Sequence, residues 1–203
     1  NLTMQSEPLR VGIVGMGGIG EAHLKAYAQV PEAVVVAVAD PAEQRLAQMA
    51  TLYGVPDKYA DYREMLERDD IDAVSVATPN ALHAPMTIAA LESGKHVLCE
   101  KPLARSGSEG ETMVMAATSA GRVLQVCFNH RQRGDVQVLK NYIETGNMGR
   151  IYHAKAFWMR RSGIPGMGGW FTNREQAGGG PLIDLGVHVL DMALFLLGEP
   201  EVI

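Results

Sequence analysis

The sequence predicts an α/β chain, with a doubly wound parallel sheet in its N-terminal part and a smaller α+β portion after it. Three observations carry this. Short apolar runs of strand character alternate with helix-forming segments up to about residue 127, the pattern of right-handed βαβ crossovers in a parallel sheet. The stretch 11–20, VGIVGMGGIG, joins the first of these runs to a helix through glycines 15, 17 and 20. After Asn129-His130-Arg131 the alternation stops, and an amphipathic helix, one strand-like segment and one strongly apolar helix replace it.

In order, the first strand and the glycine turn lead into a helix at 19–29 and a second strand at 33–38. Pro41 starts a helix that stops near Gly54, because proline suits the first helical position and glycine the residue past the last. An extended piece at 58–59, a helix at 62–67 and a strand at 71–77 follow, closed by Thr78-Pro79-Asn80. A helix at 82–93 ends at Gly94, a strand at 96–99 runs into Glu100-Lys101-Pro102, and a helix at 110–120 with a strand at 123–127 completes six parallel strands. Ligands of such sheets sit outside the carboxyl ends of the strands, which collects Gly15, Asp40, Thr78, Glu100, Lys101 and Asn129 along one edge.

Beyond that, 136–145 reads as an amphipathic helix and 151–159, IYHAKAFWM, alternates like a half-buried antiparallel strand. The glycine-rich stretch 160–181 has neither period and reads as a functional or disordered loop. A helix at 182–197 ends at Gly198, and 201–203 looks like the start of a strand. The expected domains are 8–128 and 129–203, the second incomplete because one clear strand cannot cover a sheet.

At 203 residues, 47% hydrophobic and 20% charged, the chain has the composition of a globular protein. A net charge of −5 gives no electrostatic reason to bind nucleic acid, which is excluded as a main partner. The first ten residues lack an apolar core, and part of 1–5 reads as a cloning remnant. The longest apolar runs, such as 33–39, are too short for a bilayer. A cytoplasmic location and no membrane partner are therefore expected. Cys99 and Cys127 each end an apolar run and read as buried, reduced thiols rather than a disulfide or a metal pair, so no metal site is expected.

The glycine turn has a specific chemistry. In a dinucleotide-binding (Rossmann) turn the first glycine, Gly15, permits the bend and the second, Gly17, lets the backbone approach a pyrophosphate. The third, Gly20, lets helix and strand pack closely, and the N–H groups at Gly18 and Ile19 face the anion at the helix start. Asp40 ends the second strand 20 residues after Gly20, where a carboxylate accepts from the adenosine ribose hydroxyls. The alternative is a plain βαβ unit in which Asp40 caps the helix at Pro41. The negative charge of Asp40 disfavours a 2′-phosphate, so NAD is expected; Arg45, one helical turn on, could soften this and leave NADP possible.

Four motifs, GMGGIG (15–20), ATPNALH (77–83), EKP (100–102) and GGGPLIDLGVHVLD (178–191), together resemble the Gfo/Idh/MocA family of glucose-fructose oxidoreductases and inositol dehydrogenases. The resemblance implies an N-terminal Rossmann domain and a C-terminal α+β domain with an open, mostly antiparallel sheet through which homo-oligomers form. It implies oxidoreduction of a secondary hydroxyl on a sugar, cyclitol or related polyol with NAD or NADP. It places the family's catalytic Lys, Asp and His on Lys101, Asp184 and His188, with a cis bond before Pro102, and brings Thr78, Pro79 and Asn80 near the nicotinamide ribose. An NAD-using glycoside hydrolase of the same fold, or a non-catalytic dinucleotide-binding subunit, is the alternative.

The residues suit such chemistry. Oxidising an alcohol needs a base for its proton and a charge that stabilises the developing alkoxide. Asp184 and His188, four apart on one helix, share a face that Asp191 continues, so the carboxylate can orient the imidazole that serves as base. The ammonium of Lys101, at a strand end, would hydrogen-bond the reacting oxygen. Glu100 is expected to accept from the nicotinamide ribose, the alternative being that it solvates its strand end, His83 to contact the cofactor side or pack the helix start, and Asn129 and Arg131 to face substrate hydroxyls, with Arg131 equally able to pair with a surface acid. Asn80 alternatively caps its helix. Trp158, Trp170 and Phe171 read as core aromatics that could also stack on a sugar.

Overall fold

The computed structural model describes residues 7–162 and 169–198. The segment 1–5, part of the loop 160–181 and the expected strand at 201–203 lie outside them. Contacts divide the chain into two compact units, up to Val126 and from Cys127 onward.

The first unit is built on a sheet of six strands in the order β3-β2-β1-β4-β5-β6. These are β1 (Leu9–Val14), β2 (Ala33–Ala39), β3 (Asp57–Tyr59), β4 (Ala73–Val76), β5 (His96–Glu100) and β6 (Leu124–Cys127). The central pairings are parallel, with Val14 opposite both Ala39 and Val76. Their carboxyl ends therefore lie level, and the residues that follow them share one edge. The order reverses beside β1, so the connections that follow the paired strands β1 and β4 run in opposite directions and leave the crevice in which such sheets bind ligands.

Side-chain alternation along the strands sorts the core into two faces. Val11, Ile13 and Val38 pack with Leu24, Leu46, Met49 and Val55, beneath α1 (Gly18–Tyr27) and α2 (Glu43–Tyr53). Val14, Ala39, Val76 and Val97 pack with Met65, Leu91 and Met113 from α3 (Tyr62–Leu66), α4 (Asn80–Glu92) and α5 (Gly107–Ala120). This is the doubly wound arrangement the sequence predicts. The start of α5 differs from the expected 110: Ser106 caps it by accepting from the Glu109 N–H at 3.2 Å, so the helix begins three residues earlier.

The second unit contains a 3₁₀ turn (Asn129–Gln132), α6 (Gly134–Glu144), a second 3₁₀ turn (Trp170–Thr172), α7 (Arg174–Ala177), a π-helical turn (Leu182–Gly186) and α8 (Val187–Leu197). Three expectations are corrected here. Residues 151–159 form no strand; alternation supplies a face but not a partner for the backbone, and Tyr152, Phe157 and Met159 stand 92%, 72% and 83% exposed. The described part of the glycine-rich loop is partly helical, because the Asn173 side chain accepts from the N–H groups of Glu175 and Gln176 and starts α7. The helix from 182 opens with a wide π turn holding Asp184, so the simple stacking of Asp184 on His188 expected for an α-helix is altered at its first residue. The segment Arg174–Leu197 is long and apolar enough to cross a bilayer by length and composition alone, although Asp184, His188 and Asp191 interrupt it.

Candidate active site

The glycine turn sits at the carboxyl end of β1. Gly15 has φ +95°, and a Cβ there would overlap the Ala77 carbonyl and stand 3.0 Å from Thr78 Cγ2. Its N–H donates to the Ala39 carbonyl at 2.8 Å, which stitches the turn to β2. Gly20 packs against the turn itself: a Cβ there would overlap the Gly15 carbonyl oxygen and lie 2.9 Å from its carbon. These two glycines are demanded from inside the fold.

Gly17 and Gly18 are different. A Cβ on either would meet no atom within 4 Å, and Gly17 has φ −68°, which any residue adopts. Gly17 is the N-cap of α1, and no side chain caps that helix end. Gly18, Ile19 and Gly20 form its first turn, with Gly18 and Ile19 exposed. The N–H groups of that turn and the positive end of the helix dipole face open space.

Asp40 closes the other side. Its Oδ2 accepts from the Met16 N–H at 2.6 Å and its Oδ1 from the Ala42 N–H at 2.8 Å. It therefore ties the glycine turn to β2 and also stands at the start of α2, accepting from the N-cap residue of that helix. Arg45 donates from Nε to the Met16 carbonyl at 2.9 Å and from Nη2 to Glu21 Oε2 at 2.7 Å.

At the ends of β4 and β5, His83 is fully buried, with Nδ1 2.7 Å from the Pro102 carbonyl oxygen and Nε2 2.9 Å from that of Thr78. Burial pushes its pKa below the ordinary value, outweighing the two carbonyls. The cofactor-contact alternative for His83 thus gives way to its helix-start packing, with the ring lodged between the Thr78 and Pro102 turns and its single N–H donating to one of the two carbonyls. Asn80 is corrected as well: Pro79 takes the N-cap position and Asn80 is the first helical residue, 5% exposed. The Thr78 hydroxyl is buried without a hydrogen-bond partner among the described residues.

Glu100 is also turned inward. Its Oε1 lies 2.9 Å from His23 Nε2, and its Oε2 accepts from the Lys101 N–H at 3.1 Å. Both contacts hold the turn that presents Lys101, a structural role beyond the ribose acceptance or strand-end solvation expected from the sequence. The Lys101–Pro102 bond is cis. His23 carries no signal in the sequence beyond its place on the first helix, and 77 residues separate it from its partner.

In the second unit, His188 is 8% exposed on α8 and stacks on His130, with ring centroids 4.7 Å apart; Trp158 meets it edge-on at 5.6 Å. His130, which sequence reasoning passed over, shows a pKa lowered by burial and then by the Arg133 charge. Arg131 donates to Asp191 from Nε at 2.9 Å and Nη2 at 2.5 Å, with its guanidinium beside the rings of Phe128 and Phe195. Of the two roles expected of Arg131, the structure shows the ion pair, though with a buried carboxylate, 7% exposed, rather than a surface acid. Asn129 opens the 3₁₀ turn just past β6, and Trp170 and Phe171 stack on each other.

Two family models match the chain: the oxidoreductase family with NAD-binding Rossmann fold over residues 9–128, and the GFO/IDH/MocA C-terminal domain over residues 136–203. D-glucoside 3-dehydrogenase of Escherichia coli is 41% identical over 200 residues, covering 98% of this chain and 57% of that protein. Levoglucosan dehydrogenase of Pseudarthrobacter phenanthrenivorans is 39% identical, covering 94% of this chain and 52% of that protein. Among solved structures, a levoglucosan dehydrogenase complex with NADH and L-sorbose has a TM-score of 0.83 at 36% identity, over 95% of this chain and 54% of that one. An oxidoreductase domain protein from Kribbella flavida has a TM-score of 0.88 at 32% identity, over 95% of this chain and 53% of that one. The chain spans about half the length of the curated relatives it matches. With the glycine turn, the cis Lys101–Pro102 bond and both family models in agreement, the chain belongs to the Gfo/Idh/MocA oxidoreductase family.

Proposed function

We propose that this chain carries the cofactor-binding and catalytic residues of an NAD-dependent dehydrogenase that oxidises a secondary hydroxyl of a sugar, cyclitol or related polyol. The observation that carries the reading is the pair Gly17 and Gly18, glycines that nothing within the fold requires, placed at an uncapped helix N-terminus. An open cradle of this kind fits a dinucleotide pyrophosphate, and the buried Thr78 hydroxyl nearby has hydrogen-bonding capacity to spare. Nicotinamide, when bound, supplies the hydride acceptor.

The chain's own residues then divide the work. The N–H groups of the first turn of α1 hold the diphosphate, and Asp40 meets the adenosine ribose hydroxyls and disfavours a phosphate at the 2′ position. The Lys101 ammonium stabilises the alkoxide oxygen, His188 takes the hydroxyl proton, and Asp184 orients the imidazole. Asn129 contacts substrate hydroxyls. The names of the relatives, which act on a glucoside and on levoglucosan, support a pyranose-like ring as substrate.

The test is NADH formation with a panel of glucosides, anhydrosugars and inositols. Lys101→Ala and His188→Ala each abolish turnover while NADH binding, followed by its fluorescence, persists. Turnover at the wild-type rate in either variant would overturn the assignment of roles.

A further inference from the structure

Arg45 is a cation on the first turns of α2, in contact with the same residue, Met16, whose N–H is held by Asp40. An arginine beside the acid that ends β2 is the group that would accommodate a 2′-phosphate in this fold. Its guanidinium is already engaged. Nε donates to the Met16 carbonyl at 2.9 Å, Nη2 to Glu21 at 2.7 Å, and Nη1 to Gln48 at 3.4 Å.

Glu21 is itself firmly placed. Lys25 Nζ lies 2.8 Å from its Oε1, and the Tyr53 hydroxyl donates to the same oxygen at 3.2 Å. Lys25, then Arg45 and Tyr53, pull its pKa down to about 2, so it is a full negative charge at any working pH. The clasp joins α1 to α2 across the mouth of the glycine turn. Two N–H groups of Arg45 remain beyond these contacts, but a 2′-phosphate that took the guanidinium fork bidentately would compete with the Glu21 carboxylate for the same donors.

We propose that Glu21 determines cofactor choice together with Asp40: by tying down Arg45 it withholds that guanidinium from a 2′-phosphate and keeps the site selective for NAD(H). The inference rests on the dinucleotide reading above and extends it to a residue on α1, away from the acid that follows β2. Glu21 is a positioning residue, acting through Arg45.

The experiment measures dissociation constants of NADH and NADPH by calorimetry on the full chain, with a melting curve for each protein. The proteins are wild type, Glu21→Gln, Arg45→Met and the double variant. Wild type prefers NADH, and Arg45→Met alone leaves that preference within about twofold, because the arginine is already withheld. Glu21→Gln tightens NADPH at least about tenfold, the size of one charge-assisted contact, and the double variant loses the gain. An unchanged preference in Glu21→Gln overturns the proposal. So does a gain that survives in the double variant, since it would come from lost repulsion rather than a released arginine. A large change with Arg45→Met alone overturns it too, and that surface substitution serves as the test if Glu21→Gln unfolds. Wild type binding neither nucleotide would instead overturn the dinucleotide reading itself, a result distinct from all the others.

Discussion

The glycine turn makes a prediction in which stability and binding separate at two positions three residues apart. Gly20→Ala places a methyl onto the Gly15 carbonyl, 2.9 Å from its carbon where ordinary contact begins at 3.4 Å. The neighbour is backbone, and it cannot swing aside because Gly15 is held at φ +95° by its bond to Ala39. The Gly15 carbonyl oxygen would lie only 1.8 Å from the methyl, so helix α1 must move off the turn by more than about an ångström, a strain of about 1–3 kcal/mol by analogy with overpacked cores. For a chain of this size each kcal/mol lowers the melting temperature by about 2–4 °C, so a drop of about 2–12 °C is expected. Gly17→Ala meets no atom within 4 Å and keeps an allowed φ of −68°, so its melting temperature stays level or rises slightly as the unfolded chain loses freedom. Its methyl instead occupies the approach to the helix N-terminus, and the NADH dissociation constant rises at least about tenfold, equivalent to about 1.4 kcal/mol. Circular dichroism melts and NADH titration read the two effects. The reasoning fails if Gly17→Ala melts as low as Gly20→Ala, or if it binds NADH as well as wild type.

Two further outcomes follow from the buried groups. Because burial lowers the His83 pKa below that of the unfolded chain, the unfolded state binds the extra proton first; the contribution of His83 is complete above about pH 6.5 and is lost as pH falls below that value. Urea titrations at pH 5 and 7.5 should show this loss in wild type and a smaller one in His83→Gln, and equal slopes would refute it. Asp191→Asn leaves Arg131 without its counter-charge; as the carboxylate is buried but the guanidinium 41% exposed, the cost should be about 1–3 kcal/mol rather than the larger figure for a fully buried pair. Arg131→Met combined with Asp191→Leu should recover part of it in a double-mutant cycle, and a single variant as stable as wild type would count against the pair.

Most of the first unit was legible because its rules are local. Val11, Ile13 and Val38 announce their strands as parts of short apolar runs, and Gly15 and Gly20 announce the turn by spacing, each within a window of a few residues. The 106–109 capping pair was equally local, yet it was hidden by the adjacent glycine, which reads as loop. The segment 151–159 failed for the opposite reason. Its alternation is a sound strand pattern, but a strand exists only by pairing, and alternation alone says nothing of a partner.

The site was legible in its residue types and much less in their partnerships. Glu100 was singled out correctly as a strand-end acid and given the wrong neighbour, because the atom it faces belongs to His23, 77 positions earlier. Arg131 was weighed as a substrate ligand, whereas Asp191, noted only for continuing a helix face, turned out to hold it from 60 positions away. Arg45 was read as a cation available to a phosphate, and it is Glu21, 24 positions away, that engages it. In each case the side chain's charge and the element it leaves follow from nearby sequence, but whether the charge is spent or open depends on which elements the sheet order makes neighbours. A carboxylate or guanidinium already engaged at 2.7 Å offers a ligand only the acceptor sites or donors that contact leaves over. Specificity in this chain is therefore written less in the glycine motif, which admits any dinucleotide, than in the ion pairs that decide which charges around it remain available.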